Sequence, residues 1–375
     1  MHEMSAVIRI NGKSYNEDEL ALFMAEKLST PHLPEWESEL FTFLRAWFSP
    51  SDYIEAQTSG STGEPQIIRL PKTLMQRSAK RTIEFFGLQA GNRILLSLPC
   101  RYIAGKMMVI RAIVGQMDLI TVDPSDDFNP LTGQTFDFGA MVPTQVFKLL
   151  QSPSGREKIA NIRTLLIGGS SIPVNLEEEI SQLTNHVVST YGMTETASHI
   201  AIRELSGEKK SDIYHCLKGF TVTAGQNDCL QIHDAELREP LQTKDIAEIL
   251  SQTSFRILGR VDDVIISGGI KYWPEKIEKT LQSVILGRFV ISSLSDEKLG
   301  DKMVLVIEGE PIDIDVINEK LAELLPSFER PKAIYFMDQF PETRNGKIKR
   351  NEIKETIKMR IPQHLKGNNT FRRDG

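Results

Sequence analysis

The sequence predicts an α/β protein: a large N-terminal α/β domain with layered sheets and a small β region, followed by a small α+β domain. Three observations predict it. Between residues 66 and 192 short apolar runs alternate with longer amphipathic ones, the pattern of strand–helix layers with mostly parallel pairing. Near residue 200 the alternation stops, and short strands separated by turn residues fill 213–257. From 258 onward strands and helices mix again in a compact stretch. A boundary near 258–262 therefore divides the 375 residues into 1–259 and 260–375, in keeping with roughly 150 residues per domain as a soft prior.

The elements follow in order. "EDELALFMAEKL" at 17–28 and the stretch 34–48 carry apolar residues at helical spacing. "QIIRL" at 66–70 reads as a strand before a helix over 72–86, and "RILLSL" at 93–98 as a strand before a helix over 103–115. Further strands are expected at 119–122, 139–142, 164–168 and 186–192, with helices around 144–151 and 173–184 between them. "FTVTAG" and "CLQIHD" belong to the β region. Beyond "GRVDDVIISGG" come a helix at 274–282, strands near 288–293 and 303–308, a helix near 315–325 and a strand near 333–336.

Composition bounds the function. Lys and Arg number 44 against 50 Asp and Glu, a net charge of −6, which argues against a nucleic-acid or anionic-membrane binder acting through bulk charge. The three cysteines, Cys100, Cys216 and Cys229, are far apart and form no metal spacing, so a reduced intracellular chain is expected. No signal peptide and no run of about 18 apolar residues is visible, and the expected compartment is the cytoplasm.

Four stretches carry chemistry. "TSGSTGEPQ" at 58–66 has glycines that turn backbone N–H groups to one side and hydroxyls that add donors, a composition suited to phosphate. It is not a Walker A loop, and a polar surface turn has equal standing from composition alone. "IGGSSIP" at 167–173 closes a strand, where open α/β sheets bind ligands; a plain strand-to-helix turn is the bland reading. "YGMTETASH" at 191–199 offers the flat face of Tyr191 to a base and the oxygens of Thr194 and Glu195 to phosphate or Mg²⁺. "PETRNGKIKR" at 341–350 places Lys347 in a loop, where a lone lysine is ordinarily just solvated.

Taken together and in this order, these stretches resemble the adenylate-forming superfamily of acyl-CoA synthetases, luciferases and peptide-synthetase adenylation domains. "TSGSTGEPQ" is similar to its phosphate loop, and "YGMTE", "GRVDDVIISGGIKYWPEKIE" and "PETRNGKIKR" to its later core motifs. The resemblance runs from about residue 55 to about 355. "LPCRYIAGKMM" and "YGMTETASHIA" point to a branch whose acid is an aromatic dicarboxylate.

The resemblance implies a ligase that uses ATP with Mg²⁺ to form an acyl-adenylate and then coenzyme A to form a thioester. It implies that Thr58, Ser59, Gly60, Ser61, Thr62 and Gly63 hold the β- and γ-phosphates. Gly168, Gly169 and Ser170 line the adenine slot, with Tyr191 against the base and Gly192 also in the ATP site. Thr194 touches the α-phosphate, Glu195 binds Mg²⁺, Asp245 and Arg260 grip the ribose, and Lys347 bridges the acid and the α-phosphate. Asp262 is the hinge about which a mobile small domain swings, bringing Gly268 and Gly269 to the pantetheine tunnel. His199 is weighed both as a structural hydrogen-bonder and as a catalyst. Arg101, Lys106 or His199 would pair with the acid's second carboxylate, against the plainer reading of Arg101 and Lys106 as surface charges at a helix start.

The sequence departs from the family pattern in three places. Position 66 is Gln where Lys is common, position 244 is Lys where Gly precedes the aspartate, and the segment before Thr58 is short. The last leaves the wall of the acyl pocket undefined and a homodimer open.

Overall fold

A computed structural model describes residues 7–57, 66–124, 128, 131–235, 239–285, 287–342 and 348–360. Its contacts divide the chain into two compact units. The first comprises Met1–Val222, His233–Pro240 and Leu250–Arg256; the second comprises Thr223–Ile232, Leu241–Ile249 and Ile257–Gly375.

The first unit opens with a hairpin, β1 (Ile8–Ile10) and β2 (Lys13–Tyr15), and two helices, α1 (Glu17–Ser29) and α2 (Glu35–Trp47). Asn16 starts α1 through a capping box: its side chain accepts from Glu19 N while its own N–H donates to the Glu19 carboxylate. A second hairpin, β3 (Tyr53–Gln57) and β4 (Ile67–Pro71), precedes α3 (Lys72–Phe86). Then come β5 (Arg93–Leu96), α4 (Ile103–Gly115), β6 (Asp118–Thr121), β7 (Phe136–Met141), α5 (Pro143–Leu150), α6 (Pro153–Ala160), β8 (Ile162–Ile167), α7 (Val174–Ser181), β9 (His186–Gly192), β10 (His199–Glu204) and β11 (Tyr214–Cys216).

Strands β6, β5, β7, β8 and β9 lie side by side and parallel. β10 and β11 extend the row antiparallel beyond β9, and β1 joins it at β6. The strands are apolar on both faces, as a sheet covered by helices on both sides requires. Ile94, Leu96, Phe138, Leu166 and Val188 join a core shared with the first four helices. Leu95, Leu165, Ile167 and Val187 face the other way, into a core with Val146, Leu149, Ile159 and Ile180.

The expected helices at 72–86 and 103–115 match α3 and α4, and the strand expected at 186–192 matches β9. "QIIRL" is the exception in arrangement. It pairs antiparallel with β3 in a separate two-stranded sheet, so it lies outside the parallel row. Helix α6 and the strands β1 to β3 have no counterpart in the sequence reading, because each is too short to build a clear period.

Four strands follow: β12 (Phe220–Ala224), β13 (Cys229–Asp234), β14 (Leu241–Ser251) and β15 (Ser254–Arg260). The division between units falls inside each of them, so the β region expected as part of the first domain contributes to both.

The rest of the second unit is an α+β layer. It contains β16 (Ile265–Ser267), β17 (Ile270–Tyr272), α8 (Pro274–Leu281), β18 (Phe289–Asp296), β19 (Gly300–Glu308), α9 (Ile314–Leu324), β20 (Ile334–Met337) and α10 (Arg350–Arg360). β18 and β19 pair antiparallel over eight positions, and β20 lies parallel to β19. Alternation sends Ile291, Leu305 and Ile307 to one face with Leu281, Ile317 and Leu321. Val290, Val304 and Val306 point to the other face, against Ile353 and Ile357 of α10. Among the described residues no helix is long and apolar enough to cross a membrane.

Candidate functional site

In the first unit the site grows from the ends of β8 and β9. These strands run parallel, with Ile167 opposite Ser189, so both deliver their following loops to one edge of the sheet. Carboxyl ends of parallel strands are where open α/β sheets place ligands. After β8 come Gly168, Gly169 and Ser170. A Cβ on Gly168 would stand 2.3 Å from Thr190 Oγ1, and Gly169 takes a φ of +91°. Glycine at both positions therefore follows from close packing and backbone conformation.

After β9 the chain turns sharply. A Cβ on Gly192 would meet Ser198 O at 2.4 Å and His199 Cα at 2.5 Å. Residues Met193–Ser198 close on themselves: Met193 N donates to Thr196 Oγ1 at 3.2 Å, and Thr196 Oγ1 lies 2.7 Å from Ser198 O. Ala197 N donates to Thr194 O at 2.9 Å, and Ala197 adopts a left-handed φ of +61°, a conformation uncommon outside glycine. Thr194 and Glu195 are presented partly exposed on this turn, whereas Thr196 and Ala197 are buried beneath it. Tyr191 is half-buried, edge-on to Phe255 at 5.2 Å. The paired strands bring Gly168–Ser170, Tyr191, Gly192, Thr194 and Glu195 to one end of the sheet.

His199 takes a different position from its neighbours. It is buried, with Nδ1 3.3 Å from Ser198 Oγ and Nε2 3.3 Å from Thr82 Oγ1. Burial, and then the charge of Arg111, hold its pKa well below the ordinary imidazole value. A neutral ring with both nitrogens engaged by protein is the geometry of a structural hydrogen-bonder. Arg101 pairs with Glu35 at 3.1 Å and Glu39 at 3.3 Å, and Lys106 Nζ donates to Glu55 O at 2.7 Å. Both cations are thus held by the first unit's own helix and hairpin.

Sequence reasoning missed Arg111. It lies on α4, 2% exposed, and burial pushes its pKa down to about 9. Nη2 donates to Ser198 Oγ at 2.7 Å, and Nε has no hydrogen-bond partner among the described residues. The signal was a single cation in the apolar run "MMVIRAIVG", a residue that is almost never fully buried without a partner.

In the second unit Asp245 of β14 and Arg260 at the end of β15 meet, Arg260 Nη1 lying 2.9 Å from Asp245 Oδ1. Asp262 is engaged by Lys244 at 3.1 Å and by Arg260 at 3.6 Å. Gly268 and Gly269 form the turn between β16 and β17, with φ of +59° and +81°. Positive φ at both central positions is the hairpin turn that glycine favours. Thr58, Ser59, Gly60, Ser61, Thr62, Gly63 and Lys347 lie outside the described residues. The flanks of the first stretch are described: Gln57 pairs with Ile67.

No three His, Cys, Asp or Glu side chains gather as a metal cage among the described residues. The residues present suit Mg²⁺ nonetheless. That ion is held through one or two carboxylates, several waters and phosphate oxygens, and Glu195 supplies a partly exposed carboxylate at the sheet edge.

Comparison with known proteins agrees with this geometry. The family model described as AMP-binding enzyme matches residues 45–252. A 2-succinylbenzoate–CoA ligase from Lactococcus lactis is 26% identical over 318 residues, 79% of this chain and 69% of that one. The chain thus spans about two thirds of the length of the curated relatives it matches. The crystal structure of an acyl-CoA synthetase (AMP-forming)/AMP-acid ligase II-like protein from Dyadobacter fermentans is 32% identical, with a TM-score of 0.57, covering 87% of this chain and 95% of that one. The o-succinylbenzoate CoA synthetase from Bacillus subtilis, in complex with its acyl-adenylate, shares the fold at a TM-score of 0.67 and 21% identity, covering 80% of this chain and 68% of that one. With the strand-end glycines, the Thr194–Glu195 turn and a family match over more than half its length, this chain belongs to the AMP-binding enzyme family.

Proposed function

We propose that the chain is an ATP-dependent acid–CoA ligase that acts on o-succinylbenzoate, an aromatic dicarboxylate, in menaquinone biosynthesis. One observation carries the reading. The segment that presents Thr194 and Glu195 at the sheet edge is "YGMTETASHIA", which resembles the matching motif of o-succinylbenzoate–CoA ligases, and a 2-succinylbenzoate–CoA ligase is 26% identical to the chain over 318 residues.

The chemistry runs in two displacements. A carboxylate oxygen of the acid attacks the α-phosphorus of ATP, the bond to the β-phosphate oxygen breaks, and diphosphate leaves. The thiol of coenzyme A then attacks the acyl carbon, loses its proton, and AMP leaves with the electron pair of the broken C–O bond. Both steps gather negative charge, so the residues' task is placement and charge stabilisation. In this proposal Thr58–Gly63 cradle the β- and γ-phosphates, Tyr191 and Gly168–Ser170 hold the adenine, and Thr194 meets the α-phosphate. Asp245 and Arg260 hold the ribose, and Lys347 bridges the two reacting groups. Glu195 holds Mg²⁺, which when bound neutralises phosphate charge. The boundary at 259/260, the hinge at Asp262 and the approach of Gly268 and Gly269 to the thiol chain belong to the same proposal. Arg101, Lys106 and His199 all have protein partners, and the pairing of one of them with the second carboxylate, directly or through water, belongs to the same proposal.

Exchange of labelled diphosphate into ATP, measured over a panel of acids, tests the reading. o-Succinylbenzoate at low concentration should give the fastest exchange, with free coenzyme A trapping the thioester. Faster exchange with benzoates or fatty acids would point to another aryl- or acyl-CoA ligase. Exchange without a thioester to free coenzyme A would indicate a carrier-protein-loading enzyme, and no exchange with any acid a nucleotide-binding protein without catalysis.

A further inference from the structure

A chain of hydrogen bonds runs from α4 through the Glu195 turn to α3, and its ends fix its direction. Arg111 is only a donor, and Ser78 O is only an acceptor. Arg111 Nη2 donates to Ser198 Oγ at 2.7 Å; Ser198 Oγ stands 3.3 Å from His199 Nδ1; His199 Nε2 stands 3.3 Å from Thr82 Oγ1; Thr82 Oγ1 donates to Ser78 O at 3.2 Å. If Ser198 gives its single proton to Nδ1, then Nε2 bears the ring proton and gives it to Thr82, and all four bonds form. The opposite tautomer leaves the Ser198 proton without an acceptor and takes the Thr82 proton away from Ser78 O.

The burial of Arg111 makes its bond to Ser198 consequential. A buried charge is costly unless it is paired and hydrogen-bonded, and Ser198 is its one short oxygen contact among the described residues. Ser198 in turn belongs to the closed turn whose outer side presents Thr194 and Glu195. We propose that Arg111 is a positioning residue: through Ser198 it sets the Met193–Ser198 turn and locks His199 as the neutral Nε2–H tautomer. His199 is then a link in this chain and not a proton-transfer catalyst. The effect on nucleotide binding rests on the reading of Thr194 and Glu195 given above.

Two measurements test it on the full chain. In ¹⁵N-histidine NMR, His199 should show a protonated Nε2 and an unprotonated Nδ1, and Ser198→Ala should abolish that preference. In calorimetric titration with Mg-ATP, Arg111→Met and Ser198→Ala should each weaken binding about 10- to 100-fold, the range found for residues that orient a metal ligand. The double variant should lose little more than either single one. Arg111→Lys keeps a buried donor and serves if the Met variant does not fold. The proposal is overturned if wild-type His199 is the Nδ1–H tautomer, if Ser198→Ala leaves the tautomer unchanged, or if Ser198→Ala leaves Mg-ATP affinity intact. Wild-type protein that binds Mg-ATP yet exchanges no diphosphate with any acid would reject the ligase reading alone and leave this inference supported by its own two readouts.

Discussion

Lys244 Nζ lies 3.1 Å from Asp262 Oδ2 and 3.3 Å from Oδ1. The residue that departs from the family's usual glycine thus reaches the very aspartate proposed as the hinge. Half of the Lys244 side chain is exposed, so the pair should contribute no more than about 1 kcal/mol and be screened by salt. Lys244→Gly should therefore change the melting temperature little. Turnover by the wild type should rise with ionic strength as the restraint on Asp262 weakens, and the variant should lack that rise. Equal salt profiles would separate the pair from hinge motion.

Lys347→Ala should nearly abolish adenylate formation while sparing thioester formation from pre-made acyl-adenylate. Loss of one transition-state donor typically costs about 2.7–4 kcal/mol, a rate factor of about 10² to 10³. Assaying the half-reactions separately checks this. Equal loss in both would contradict a domain that uses two faces in turn.

Gly192→Ala should both destabilise the protein and impair it. The added methyl group meets main-chain atoms, Ser198 O at 2.4 Å and His199 Cα at 2.5 Å, so relief requires the turn itself to move. Overpacking of this kind costs about 1–3 kcal/mol, and a displacement of about 1 Å near reacting groups costs about a hundredfold in rate. Gly168→Ala meets mainly the Thr190 hydroxyl, so a second change, Thr190→Ala, should restore much of its loss. Kinetics and thermal melts on the three variants decide this.

Stability on the acid side should carry the mark of His199. Its pKa is depressed in the folded protein, so the unfolded chain takes up a proton that the native ring refuses. The stabilisation is complete above the unfolded imidazole pKa of about 6.5 and is lost as pH falls below it. Denaturant melts from pH 8 to pH 5 should show the decline, and His199→Gln should flatten it. An unchanged slope in the variant would assign the decline to other groups.

Glu275 should act with the opposite sign. It packs against Gly259, one carboxylate oxygen has no partner among the described residues, and burial raises its pKa from the ordinary 4.5 to about 7, against the pull of Arg350. Between those values the native state holds a proton that the unfolded state releases. Its contribution is present below about pH 4.5 and is lost as pH rises through about 7. The loss is bounded by ~3 kcal/mol. Glu275→Gln should be more stable than wild type at pH 8, and the gap should close toward pH 4.5. A lower melting temperature at pH 8 would show that the attraction to Arg350 dominates.

Much of the fold and part of the site were legible in the sequence. Helices α3 and α4 and strand β9 declared themselves because periodicity is local: a run of 7 to 15 residues carries its own hydrophobic pattern. Thr194, Glu195 and the strand-end glycines were legible because backbone turns and oxygen donors demand particular residue types in sequence. What the tertiary structure alone decided was long-range. The two-stranded sheet of β3 and β4, the meeting of Asp245 with Arg260 across 15 positions, and the contact of Arg111 with Ser198 across 87 depend on which surfaces the packed core brings together. Local sequence states that Arg111 is a cation in an apolar helix. Only the packing of α4 beneath the Glu195 turn shows which oxygen it donates to.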